Sequence, residues 1–154
     1  MFYCRSTDVW YNRGSAINAT GRQLTDHFTI LDLTSSSKDF NPIPLTITGN
    51  YKSATGAKDI DLHGFDVEII NESKLRFWVV NHRPPHDPVT GEALDSLKFG
   101  ANSTIEVFDL DRTKGTELRW VETIFRPGVV ETPNDLAAMG DGGFLVSNDH
   151  SAKG

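Results

Sequence analysis

The sequence predicts an all-β protein, and two observations support that prediction. Short stretches rich in β-branched and aromatic residues alternate between apolar and polar positions, as strands with one buried face do. Seven prolines and thirteen glycines among 154 residues supply many turns, and almost no stretch has a helical period. At this length the chain has room for one domain of ordinary size.

The predicted strands follow one another with polar turns between them. The first dozen residues predict a strand remnant, and residues 15–25 predict an exposed loop. Residues 83–102 are proline-rich and long for a hairpin connection, so they predict a disordered insertion or a lid with one short helical turn at 93–99. The other predicted strands cover residues 27–33, 44–49, 59–72 with a break at His63-Gly64, 75–81, 103–110, 117–124, 129–132, 136–139 and 144–147.

The chain also repeats itself at a spacing of about 70 residues. Residues 30–33 (ILDL) correspond to 107–110 (VFDL), and residues 78–82 (WVVNH) correspond to 145–150 (LVSNDH). Four short strands per unit, with polar residues recurring at one strand end, are typical of a β-propeller. We therefore predict a single partial propeller of about two and a half blades: a blade-one remnant and loop at 1–26, a first repeat unit at 27–82, an insertion loop at 83–102 and a second repeat unit at 103–150.

Charge and composition argue against several classes of partner. With 15 Lys and Arg against 21 Asp and Glu, and no basic cluster, nucleic acid is not an expected partner. The sequence contains no run of about 18 apolar residues, so no transmembrane segment is predicted. Cys4 is the single cysteine, so no disulfide forms within the chain. Sequons at Asn18, Asn71 and Asn102 suggest a glycoprotein, although the first residues do not resemble a signal peptide and the compartment stays open.

The candidate functional residues are two histidines and an Asn-Asp pair, each at a strand end. His63 opens one predicted strand, His82 closes the next, and Asn134-Asp135 stands in the matching place of the second unit. Taken alone, His63 predicts a turn histidine, and an Asn-Asp pair after proline predicts a turn. Acidic and amide side chains in loops also suit a hard cation such as calcium. Trp78 and Trp120, by contrast, are predicted to be core side chains.

In their order along the chain these residues resemble the paraoxonases, which are arylesterases and lactonases. The resemblance runs from about residue 30 to residue 150 and depends on shared order and spacing, since each motif alone is weak. The segments that carry it are 30–33 (ILDL), 45–49 (LTITG), 62–65 (LHGF), 79–82 (VVNH), 103–108 (STIEVF), 134–135 (ND) and 147–150 (SNDH). The resemblance implies a six-bladed propeller with one catalytic and one structural calcium ion in its tunnel, and hydrolysis of lactones, aryl esters and some organophosphates.

The resemblance also implies a role for each matching residue. His63 resembles the general base that activates a water molecule, and His82 resembles the partner that holds it or relays its proton. Asn134 would offer its amide oxygen to the catalytic calcium. Asp135 would offer its carboxylate, and Phe65 its backbone carbonyl, to the structural calcium. A histidine that titrates near neutral pH and a cation that polarises an ester carbonyl are chemically suited to this reaction.

Two further residues, Asp149 and His150, match positions in the wall of the substrate pocket. Because a propeller closes with about four to eight blades, and because other calcium ligands of the family have no counterpart here, we expect a fragment that is weakly active or inactive alone. One alternative function is a non-catalytic propeller remnant, or interaction module, that self-associates through exposed blade edges. A further alternative is a complete small β-sandwich.

Overall fold

The structure is a computed structural model that describes residues 2–5, 11–12, 16–17, 26–32, 42–52, 60–83, 85–87, 89–99 and 102–149. Over these ranges the all-β prediction is confirmed, because every element except one single-turn helix is a strand. The strands are β1 (Phe2–Arg5), β2 (Tyr11–Asn12), β3 (Ala16–Ile17), β4 (His27–Ile30), β5 (Ile43–Pro44), β6 (Thr46–Thr48), β7 (Leu62–Ile69), β8 (Lys74–Asn81), β9 (Thr104–Asp111), β10 (Glu117–Ile124), β11 (Pro133–Ala138) and β12 (Phe144–Asn148). The helix α1 covers Ser96–Phe99.

The centre of the fold is an antiparallel meander of the four longest strands, β7 to β10, which pair in chain order. Side chains close its two tight turns. The amide oxygen of Asn71 accepts a hydrogen bond from the Ser73 N–H at 3.0 Å, and the carboxylate of Asp111 accepts one from the Thr113 N–H at 3.0 Å. Such turns explain why polar residues separate the strands in the sequence. β6 then adds to β10 in parallel, which makes the sheet five-stranded.

Both faces of this central sheet are buried. Because side chains alternate along β8, Phe77 and Val79 lie on one face, while Trp78 and Val80 lie on the other. The first face packs against residues that include Phe28 of β4, and the second packs against the β11–β12 hairpin. The described chain is therefore built as successive sheets, with the meander between a β1-β4-β5 sheet and the hairpin.

One predicted strand differs from the structure, and the longest strands pair across the 83–102 segment. The strand predicted at 44–49 divides between sheets, since β5 pairs with β4 and β6 pairs with β10. The meander takes β7 and β8 from the first predicted repeat unit and β9 and β10 from the second. Strand pairing thus crosses the 83–102 insertion, because the ends of β8 and β9 that flank it remain neighbours in register.

The insertion itself contains local structure. His86 and Ala93 form an antiparallel bridge, and the Asp87 carboxylate accepts hydrogen bonds from the Val89 and Thr90 N–H groups, both at 2.8 Å. The helical turn predicted within 93–99 is present as α1. Across the described ranges, no helix is long and apolar enough to cross a membrane.

At the end of the meander away from the histidines, a buried carboxylate binds three cations. Asp109 of β9 lies 2.9 Å from Arg76 Nε, 2.8 Å from Lys74 Nζ and 3.5 Å from Arg119 Nη2. Arg76 and Arg119 are its direct cross-strand partners on β8 and β10. Burial alone would raise the pKa of the Asp109 carboxyl, but the hydrogen bonds from Arg76 and Lys74 outweigh it and hold the pKa below its ordinary value.

We expect the substitution Asp109→Asn to destabilise the fold in a pH-dependent way. Because the folded-state pKa is depressed, the stabilisation is full above the unfolded-state pKa of ~3.9 and is lost as pH falls through the folded-state pKa. Urea titrations should show a loss of about 1–2 kcal/mol at pH 7 that shrinks toward pH 3. A constant difference between pH 7 and pH 3 would contradict the assignment.

Candidate active site

The site begins at an irregularity in β7. The pairing with β8 shifts register between Leu62 and Phe65, since Leu62 lies opposite Asn81 and Phe65 lies opposite Val79. β7 therefore carries one more residue than its partner here, which is a β-bulge. The break predicted at His63-Gly64 is this bulge. It turns the His63 side chain out to solvent while Leu62 beside it stays buried.

Gly64 lets a second sheet come very close to the bulge. A Cβ atom built on Gly64 would lie 2.6 Å from the backbone oxygen of Asn134 and 2.7 Å from Cα of Asp135. Such distances leave no room for any side chain, so only glycine permits this approach of β7 and β11. The two segments are 70 residues apart in the chain, and the contact brings the predicted histidine and the predicted Asn-Asp pair together.

Three of the predicted residues are in direct contact. His63 Nε2 lies 2.6 Å from Asn134 Oδ1, which is a hydrogen bond between β7 and β11. The His63 and His82 rings meet edge to face, with 5.5 Å between their centroids and 63° between their planes. His82 is half-buried while His63 is exposed, so the pair connects solvent to the end of β8.

The hydrogen bond to Asn134 defines the state of the His63 ring. With the Asn134 amide oxygen facing the ring, Nε2 is assigned as the donor, because an amide oxygen only accepts hydrogen bonds. In a neutral ring the lone pair then lies on Nδ1, and this nitrogen is the one that could accept a proton from water. The assignment follows from the orientation of the Asn134 amide, whose oxygen faces the histidine.

Asn134 reaches His63 because β11 also carries a bulge. Pro133 pairs with Asn148 and Asp135 pairs with Ser147, so Asn134 is the extra residue. The sequence predicts a turn at 133–135 and a strand at 129–132, whereas residues 133–138 form β11. A proline is tolerated as the first residue of a strand, and the bulge absorbs the residue that predicted the turn.

Asn148 holds the approach to β11 in place. Its Oδ1 accepts hydrogen bonds from the Glu131 and Thr132 N–H groups at 3.1 and 3.3 Å, and its Nδ2 donates to the Val129 oxygen at 3.0 Å. These bonds occupy the segment for which a strand is predicted. The sequence points to Asn148 only through its place in the repeated Asn-Asp-His pattern.

The predicted calcium ligands are oxygen donors of the right type. Asn134 contributes an amide oxygen and Asp135 an exposed carboxylate, one oxygen of which accepts a hydrogen bond from the Leu136 N–H at 2.9 Å. Within the described ranges, no group of three or more His, Cys, Asp or Glu side chains is placed to hold a metal ion. Because calcium takes six to eight oxygen ligands, Asn134 and Asp135 would have to be joined by ligands from elsewhere.

The remaining predicted site residues are Phe65, Asp149 and His150. Phe65 follows Gly64 on β7, and its ring packs edge to face on Phe28 with centroids 5.5 Å apart. Asp149 is exposed, and its N–H donates to the Thr132 oxygen at 3.0 Å, which keeps it beside the start of β11. His150 lies outside the described residues.

Sequence reasoning did not identify the buried polar residues beneath the site. Asn81 and Glu106 lie on neighbouring strands, and their side chains are hydrogen bonded to each other at 3.3 Å. Asp26 accepts a hydrogen bond from the Leu62 N–H at 2.8 Å. Asn81 stands in a repeated motif, which could have singled it out. Glu106 occupies a polar position of an alternating strand, and that pattern predicts exposure rather than the burial that the structure shows.

Comparisons with known proteins do not place this chain in a family. No protein-family model, no curated protein and no solved structure matches it. The interpretation of its function therefore depends on the residues and geometry of the site described above.

Proposed function

We propose that this chain carries the core of a calcium-assisted hydrolase of lactones and aryl esters. The single observation that supports the proposal best is the contact of His63 with Asn134 and of His63 with His82. Residues 71 positions apart, each singled out by the resemblance to paraoxonases, lie within hydrogen-bond distance. If His63 had only a structural role, the neighbouring His82 ring would not be required. The glycine at position 64, which allows β11 to approach the bulge in β7, would not be required either.

In this proposal each residue has a defined task. His63, with its proton on Nε2, would accept a proton from the attacking water at Nδ1. His82 would hold the His63 ring at the edge-to-face angle. Asn134 and Asp135 would contribute oxygen ligands to calcium, and bound calcium would polarise the ester carbonyl and stabilise negative charge on its oxygen.

The test is hydrolysis of phenyl acetate and of a γ-lactone by the purified chain with calcium and with a chelator. Since the described ranges contain no cluster of three or more His, Cys, Asp or Glu side chains to hold the ion, we expect a slow rate that falls at least tenfold in His63→Gln and in the chelator. His27→Gln is the matched control, because His27 is exposed on β4, outside the residues that form the candidate site. A rate equal in His63→Gln and in the unsubstituted chain would contradict the proposal.

A second candidate function is favoured by exposed apolar side chains at the hairpin end of the fold. Leu145 of β12 is 65% exposed, and β12 pairs only with β11 within the described ranges. Other large apolar side chains exposed between β10 and β12 in the chain are Phe125, Val129 and Met139. A non-catalytic module that associates through this strand edge would have the same contacts at His63, and it would show no ester hydrolysis above that of buffer.

A further inference from the structure

The central sheet buries a carboxylate that the proposed chemistry does not use. Glu106 of β9 is 2% exposed. Its Oε1 accepts hydrogen bonds from Thr104 Oγ1 at 2.7 Å and Asn81 Nδ2 at 3.3 Å, and its Oε2 accepts one from Thr123 Oγ1 at 2.5 Å. In the part of the chain that the structure describes, no ion pair includes Glu106. Burying an acid among neutral donors is costly, so its placement calls for a reason beyond packing.

Asn81 connects this carboxylate to the histidines. Asn81 is fully buried at the end of β8, and its Nδ2 donates both to Glu106 and to the Tyr51 hydroxyl at 3.2 Å. Because a carboxylate accepts and does not donate, Glu106 requires the NH₂ end of the amide to face it. The Oδ1 end then faces Asp61, whose N–H donates to it at 2.9 Å.

The same bonds tie the two histidine-bearing segments together. The backbone oxygen of Asp61 accepts a hydrogen bond from the His82 N–H at 2.7 Å, and the next residue, Leu62, begins the bulge that carries His63. Asn81 directly precedes His82 in the chain. One buried amide thus bridges Glu106 and the residue before β7, beside the backbone hydrogen bond that joins His82 to Asp61.

We propose that Glu106 is a positioning residue that, through the Asn81 amide, sets the relative placement of His63 and His82. This inference rests on the proposed hydrolase function for its consequence in catalysis. Glu106 does not touch the reacting groups. It acts by excluding the flipped orientation of Asn81, in which the Asp61 N–H would meet an NH₂ group and the histidine pair would lose its support.

The experiment compares three variants of the full chain. Glu106→Gln can place an NH₂ group against Asn81, so we expect the His63 and His82 ring signals in NMR spectra to shift and broaden. The kcat for phenyl acetate should fall about tenfold at unchanged KM. The double variant Glu106→Gln/Asn81→Asp exchanges the two groups, so that the amide lies at position 106 and the carboxylate at position 81, with the same net charge. It should recover both readouts. Asp109→Asn removes another buried acid of β9 and should alter neither, although it lowers stability.

The outcomes separate this inference from the proposed function. Ring signals that shift in Glu106→Gln and return in the exchange variant support the positioning role. They do so even if the unsubstituted chain hydrolyses no ester, because that result would overturn only the hydrolase proposal. Ring signals unchanged in Glu106→Gln, or shifted equally in Asp109→Asn, would overturn the positioning role. If Glu106→Gln does not fold, Thr123→Val removes a single bond to the carboxylate and should give the same shifts at smaller amplitude.

Discussion

Replacing Gly64 by alanine is expected to destabilise the protein by about 3 kcal/mol and to separate His63 from Asn134. The added Cβ would collide with a carboxylate oxygen of Asp135 and would lie 2.6 and 2.7 Å from backbone atoms of Asn134 and Asp135. A side-chain oxygen can rotate away, whereas the backbone of β11 can move only by loosening its packing on β7. Urea unfolding measures the loss, and the His63 ring signals in NMR spectra report the separation.

Gly143→Ala provides a matched control for this prediction. Like Gly64, Gly143 lacks a positive φ. A Cβ atom added to it, however, would lie 3.0 Å from the exposed Asp141 carboxylate and 3.8 Å from the Met139 sulfur. Both atoms belong to side chains at the β11–β12 turn that can rotate away, so we expect a loss below about 1 kcal/mol. If Gly64→Ala costs no more than Gly143→Ala, the close approach of β7 and β11 is wrong, and with it the shared site.

Replacing Trp78 by alanine should cost about 3–5 kcal/mol, the largest loss that we expect from a core substitution. Trp78 is 2% exposed on the face of the meander that the β11–β12 hairpin covers, and its ring lies 5.3 Å from that of Phe144. Its Nε1 also donates to Glu68 at 3.1 Å. Removing it leaves a cavity directly beneath the hairpin that carries Asn134 and Asp135.

Amide hydrogen exchange measures where this loss is felt. In Trp78→Ala the amides of β12 should exchange faster by a larger factor than those of β9, because the hairpin opens before the meander unfolds. Trp120→Ala is the control on the opposite face, where the ring is half-buried and its Nε1 donates to Thr123 at 3.3 Å. Its loss should be about 1–2 kcal/mol and should leave β12 unaffected. Equal effects of the two substitutions on β12 would contradict the layered arrangement.

Much of the fold follows from local pattern. Local pattern predicts β7 to β10 closely, because β7, β9 and β10 alternate between apolar and polar residues and β8 is a short, strongly apolar run. The same reasoning fails at 133–135, where Pro-Asn-Asp predicts a turn and the chain forms a bulged strand. Turn propensity is a local quantity, and pairing with β12 outweighs it. The division of 44–49 between two sheets likewise depends on partners that are distant in sequence.

The sequence by itself determined the class of the fold, the candidate histidines and the Asn-Asp pair, since these are properties of short segments and of their order. Only the tertiary structure decided that His63 meets both His82 and Asn134, and that Gly64 permits it. It also decided that Glu106, polar in an alternating strand, is buried beneath the site rather than exposed. The physical reason is that close approach and burial arise from how sheets stack, and stacking depends on residues that lie far apart in the chain.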